Sequence, residues 1–220
     1  MPGESLPRPH LLRVYDKYLA SQDTAEFIRE VAAVYSQGTL QRLAEHDGIR
    51  VRRAAVLALG FLGDYESNAT LGRALQDEDR TVRTLAEHGI RKVWTRVGDP
   101  QQRRVLGAII RLNAAQHFTA TIRRASELLK DAAWLAEAWN QRAIAHFSLK
   151  HYDEAIHDCR QALEINHYHF AAAAGMGQAY LERGNTTAAL ESFRRALRLN
   201  PDLEAVRVQV ARLVRRIEET

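Results

Sequence analysis

Apolar residues along this chain recur at steps of three and four, with no run of alternating β-branched residues, which predicts amphipathic helices and no sheet. Residues 51–62 are apolar nearly all round, so a helix there needs neighbours on both sides. Nearer the start, residues 11–20 and 24–35 read as a helix pair, with Asp23 and Glu26 in a capping arrangement and Gly38 placed to stop the second helix. Toward the end, Leu203, Val206, Val210, Leu213, Val214 and Ile217 form one stripe at helical spacing, with Arg207, Arg212, Arg215 and Arg216 elsewhere. That is the pattern of a helix closing a stack, one side covered and the other solvated. Only 5 prolines and 12 glycines interrupt the chain, and the fold class that follows is all-α.

The helices repeat. With residues 136–169 set beside 170–203, Ala143 falls on Gly177, His146 on Tyr180, Ala155 on Ala189, Cys159 on Phe193, Ala162 on Ala196 and His167 on Pro201, always 34 apart. Small residues at recurring places let two antiparallel helices approach closely, and one such unit alone leaves an apolar face bare. Trp139, Ala143, Ala155 and Ala162 in the first unit, with Gly177, Tyr180, Ala189, Phe193, Ala196 and Pro201 in the second, resemble the tetratricopeptide repeat. Arg142 stands where leucine is usual, Cys159 where an aromatic is usual, and His167 in place of the closing proline. One period upstream, Phe118, Ile122 and Leu129 match Tyr152, Ile156 and Leu163, which makes residues 101–133 a degenerate repeat, and residues 204–219 become the capping helix.

A period of 31 governs the first part: Leu40 aligns with Leu71, Val51 with Val82, Arg52 with Arg83, Ala55 with Ala86 and Leu59 with Ile90. Acids at Asp47 and Glu78, each followed by a Val-Arg pair and an alanine, resemble HEAT-like repeats. The resemblance implies that Arg52 and Arg83 bridge to acids of adjacent repeats. The expected organisation is a short disordered arm over residues 1–9, a HEAT-like region over 10–98 and a tetratricopeptide region over 99–220. Between the two regions lies only Gly98-Asp99-Pro100, where glycine ends one helix, aspartate caps the next and proline opens it. One continuous right-handed α-solenoid of antiparallel helix pairs is the architecture these resemblances imply.

Composition narrows the function. The formal charge is +4, and neither part is strongly basic: residues 1–98 hold 14 basic and 13 acidic side chains, residues 99–220 hold 17 and 14. A nucleic-acid partner is therefore not the expectation, although Arg50, Arg53 and Arg80 keep a nucleic-acid-binding HEAT-like protein as the alternative. A single cysteine, Cys159, cannot form an internal disulfide and sits where a small buried apolar residue belongs, not a nucleophile. A reducing cytoplasm, no signal segment and no membrane span are expected. His167 and His169 could share a metal only if a third ligand arrived from elsewhere, so they read as turn residues packing on the next helix. No cofactor, metal or catalytic constellation is expected, and bilin lyase activity has only the name of a short HEAT-like family behind it.

What remains is a non-enzymatic scaffold. Similarity to the tetratricopeptide family implies that the first helix of each pair lines a concave groove, which places Asn140, Gln141, Ile144 and Phe147, then Ala171, Ala174, Gly175, Gln178 and Glu182, then Gln209 and Arg212 along it. Some relatives grip the terminal carboxylate of chaperone tails with polar side chains, but Ile144, Ala174 and Gly175 occupy places where those groups are needed, so that clamp is absent. The expected ligand is a protein segment, helical or extended, with small apolar side chains over Ala171, Ala174 and Gly175 and its backbone bonded by the amides of Asn140, Gln141 and Gln178. The pattern names no particular partner and no oligomeric state.

Overall fold

A computed structural model describes residues 9–218. Every regular element among them is helical: α1 (His10–Ser21), α2 (Thr24–Ala32), α3 (Gln37–Leu43), α4 (Ile49–Leu62), α5 (Asn68–Ala74), α6 (Arg80–Thr95), α7 (Pro100–Ala114), α8 (Phe118–Asp131), α9 (Ala136–Ser148), α10 (Tyr152–Ile165), α11 (Phe170–Glu182), α12 (Thr186–Leu199) and α13 (Glu204–Glu218), with one 3-10 turn at Tyr65–Ser67. The all-α expectation holds. The expected N-terminal arm lies outside the described residues apart from Pro9, which is exposed. The described residues divide into two compact units that part between Val93 and Trp94.

In the first unit the Asp23 side chain accepts the Glu26 N–H at 2.9 Å and starts α2 as expected. Gly38, however, is no helix stop: α2 ends at Ala32, and Gly38 lies within α3, because the Ser36 hydroxyl accepts the Thr39 N–H and caps a new helix ahead of it. The 31-residue period is visible in the bonding. Arg52 Nη1 donates to the carbonyls of His46 and Asp47, and Arg83 Nη1 donates to those of Asp77 and Glu78, the same two offsets one repeat later. Arg52 also grips Asp77 with two nitrogens at 2.7 and 3.0 Å and reaches Glu78 at 3.0 Å, so the expected bridge to an adjacent repeat is present. Helices α4 and α6 touch backbone to backbone: a Cβ on Gly60 would sit 3.0 Å from the Gly89 Cα.

The second unit is a run of helix hairpins in which each of α7 to α13 packs on the next, and α7, α9 and α11 also meet one another in turn. Ala143, Ala155, Ala162, Ala189 and Ala196 are at most 2% exposed, which is what lets the paired backbones approach. The hairpin turns share one geometry. Gln116, Lys150 and Gly184, spaced by 34, all take positive φ, and the next residue in each case donates its N–H back to Leu112, His146 or Tyr180, closing the helix by the Schellman arrangement. Buried Asn166 and Asn200 are equivalent too, each side chain accepting the N–H two residues on, from Tyr168 or Asp202. An Asx turn therefore shapes the junction whether proline (Pro201) or His167 follows. Asp99 and Gln102 form a reciprocal capping box at the start of α7, with Pro100 in its first turn.

Candidate functional site

Helices α9 and α11 are first members of consecutive hairpins, and between them lies a cavity of about 160 Å³. Asn140, Ala143, Ile144 and Phe147 come from α9, Ala155 and Cys159 from α10, and Ala171, Gly175 and Gln178 from α11. On α9 and on α11 the lining residues recur at steps of three and four, so one face of each helix supplies them. Nearly all of this lining is carbon, and Ile144, 43% exposed, stands at its edge.

The cavity has an origin in the sequence. Phe193, at the aromatic place of the second repeat, fills its hairpin so tightly that a Cβ on Gly177 would lie 2.6 Å from its ring. At the equivalent place in the first repeat stands Cys159, opposite Ala143, and one methyl on α9 does not replace the volume of a phenyl ring. Gly175 leaves the other side open, since a Cβ there would lie 3.6 Å from the Cys159 Sγ. Burial pushes the Cys159 thiol up to about 12, with Asp158 adding to the shift. The thiolate a nucleophile requires is therefore strongly disfavoured.

Six of the eleven sequence-selected groove residues line this cavity: Asn140, Ile144, Phe147, Ala171, Gly175 and Gln178. The other five do not. Gln141 is turned to α7, where its side-chain oxygen and its carbonyl both accept from the Asn113 amide while its own amide nitrogen donates to Glu137 at 2.6 Å. Ala174 is half-buried against the core of the two repeats, Glu182 is exposed at the end of α11, and Gln209 and Arg212 lie on α13. Asn140, buried, donates its amide to both Glu137 oxygens at 3.3 Å. The expected amide bonds to a ligand backbone thus reduce to Gln178.

Glu137 organises a network that sequence reasoning missed. His169, fully buried, accepts the Ala172 N–H on Nδ1, which leaves Nε2 to donate to Glu137 at 2.9 Å. Its ring stacks on Trp94 with centroids 4.1 Å apart. Burial works to raise the Glu137 carboxyl, but the His169, Gln141 and Asn140 contacts outweigh it and hold the group below its usual value. His169 is therefore a packed structural residue, and among the described residues no three His, Cys, Asp or Glu side chains are grouped to hold a metal. Arg142 has a comparable explanation. It pairs with buried Asp158 through two bonds of 2.7 and 2.8 Å, donates to Ser126 and lies over Trp139. An arginine at a leucine place signals a buried acid nearby, and Asp158 was available in the sequence as that acid.

Three arginines of the HEAT-like region, Arg50, Arg52 and Arg53, are engaged. Arg53 holds Asp79 at 2.6 and 2.8 Å, Arg50 pairs with Asp16, and Arg52 is committed to Asp77 and Glu78. Arg80 is exposed at the start of α6.

Comparison with known proteins agrees with the two periods. Residues 136–169 and 170–203 each match the tetratricopeptide repeat, and residues 36–125 match HEAT repeats, a stretch that runs through α7 into α8. Superkiller complex protein 3 of Mus musculus is 37% identical over 65 residues, 30% of this chain and 4% of that protein. Small glutamine-rich tetratricopeptide repeat-containing protein 2 of Saccharomyces cerevisiae is 30% identical over 89 residues, 40% of this chain and 26% of that protein. The chain thus spans about a quarter or less of the length of these relatives. The solved structure "First TPR of Spaghetti (RPAP3) bound to HSP90 peptide SRMEEVD" superposes with a TM-score of 0.53 at 17% identity, covering 56% of this chain and 97% of that one.

Proposed function

We propose that this chain, which carries HEAT repeats followed by two tetratricopeptide repeats, is a non-enzymatic interaction scaffold that holds a segment of a partner protein against the α9–α11 face. The observation that carries this is the cavity of about 160 Å³ lined by Ile144, Phe147, Ala143, Cys159 and Gly175. An open apolar hollow among first helices of successive repeats takes an aliphatic side chain, and Gln178 at its edge can bond the backbone that presents it. The Spaghetti domain provides a precedent for peptide capture on this fold, with a peptide that ends in acids. Here the lining is apolar, so the anchor is a leucine, isoleucine or methionine rather than a terminal carboxylate.

Selection of binding peptides from a random library against the intact chain tests this. The recovered peptides are expected to share one large aliphatic residue, and Gly175→Leu, which fills the cavity from α11, is expected to weaken them about 30-fold, the equivalent of losing one buried aliphatic anchor. Circular dichroism of the variant shows whether the helices persist. Peptides that bind Gly175→Leu as well as the native chain, or that share no aliphatic anchor, would remove the cavity from the account.

A further inference from the structure

The side of α11 opposite the cavity carries a second groove. At 100° per residue, Met176 and Tyr180 point away from Ala171, Gly175 and Gln178. They form the bed of two hollows of about 490 and 560 Å³ that share Tyr180 and are walled by α10 and α12. One end is cationic: Arg160, Arg194, Arg195 and Arg198 line it against a single acid, Glu191. Arg160 donates to the Tyr180 hydroxyl and its guanidinium lies 5.9 Å from that ring, so this cation is held over the groove. Among the described residues the side chains of Arg194 and Arg195 make no ion pair and no hydrogen bond. The other end is neutral overall, bounded by Asn185, Thr186, Thr187 and the Arg183–Asp153 pair.

From Thr186 to Arg198 the wall spans roughly 18 Å at 1.5 Å per helical residue, which matches five or six residues of extended chain. We propose that this groove binds an extended acidic protein segment of about six residues, its carboxylates at the Arg194–Arg198 end and its neutral residues at the Thr186 end. Arginine suits carboxylates because its planar fork donates pairs of parallel hydrogen bonds to them. A nucleic acid fits less well. Its charge is uniform along the strand, whereas the cations that line this groove cluster at one end, and a duplex binder that makes about 6–10 phosphate contacts needs a longer cationic track.

Titration of the intact chain with three labelled hexapeptides tests the proposal: one with three consecutive Glu or Asp residues at one end, its neutral amide counterpart, and its lysine counterpart. A single-stranded oligonucleotide of equal charge serves as the competing polyanion. Binding of the acidic peptide alone is expected, weakened at least tenfold by Arg194→Ala together with Arg195→Ala, restored in part by lysine at both positions, and unchanged by Gly175→Leu. That last comparison separates this groove from the aliphatic cavity, whose failure would leave the acidic titration untouched. Absence of acidic-peptide binding, indifference to the two arginine changes in a folded variant, or tighter binding of the oligonucleotide would each overturn the proposal.

Discussion

Cys159 and Phe193 hold equivalent positions, and the difference in their volumes sets what their neighbours can be. Phe193 demands Gly177, because any Cβ there meets the ring at 2.6 Å, while Cys159 tolerates Ala143 and leaves a cavity beside it. Gly177→Ala is therefore expected to lower stability by about 1–3 kcal/mol through overpacking, although alanine is the better helix former. The converse coupling is expected in the first repeat. Cys159→Phe should destabilise the native chain more than it destabilises an Ala143→Gly chain, and denaturant unfolding of the four species reads the difference directly. Additive effects would show that the two positions do not share space. In the sequence Cys159 stands out as a departure at an aromatic place, but its consequence is legible only in three dimensions, since Gly175, the other wall, lies in the next repeat. Gln141 turns from the cavity for the same kind of reason: its partner Asn113 is 28 residues away on α7, beyond any periodic signal within one repeat.

At the level of elements, most of the helices were legible because both periods carry their own spacing of small and large residues, and Asp23 and Asp99 announced their caps. The turns were less so. Gln116 and Lys150 adopt the same left-handed geometry as Gly184, yet only glycine advertises it. Gly38 misled for the opposite reason, being a glycine that sits inside a helix opened by Ser36. Where one element grips another, the chemistry is testable by pH. Asp79 accepts the Val82 N–H at the start of α6 and two bonds from Arg53 on α4, and chiefly the Arg53 hydrogen bond holds its carboxyl down to about 2 from an ordinary 3.8. A depressed carboxylate stabilises the fold above its unfolded value and loses that contribution as pH falls through the folded one. The melting temperature of the native chain should accordingly exceed that of Asp79→Asn at pH 5 and above, with the gap closing between about pH 4 and pH 2. A gap that stays constant across that window would show that the Arg53–Asp79 link contributes no proton-dependent stability.

Across the molecule, near balance of charge conceals local order. The acids and arginines of the first unit satisfy one another across repeats, as at Arg52 and Arg53, whereas among the described residues the side chains of Arg194 and Arg195 make no ion pair and share their hollow with one acid, Glu191, which is why a net charge of only +4 is compatible with a cationic groove on one hairpin. Stability in the second unit is organised along the chain in the same neighbour-by-neighbour way. Helix α13 covers the last hairpin with Val206 and Leu213, 8% and 4% exposed, and nothing in α7 to α10 packs on it to any extent comparable with α12. Removing residues 204–220 is therefore expected to cost a few kcal/mol, at about 1.5–3 kcal/mol for each large apolar side chain uncovered, and to do so unevenly. In a solenoid the loss of one unit weakens the next most and fades with distance. Hydrogen exchange of the truncated chain should show protection falling most in α12, less in α11 and least in α9. Equal loss through all of these helices would mean that the second unit unfolds as one cooperative block, and that its stability resides in something other than contacts between successive helices.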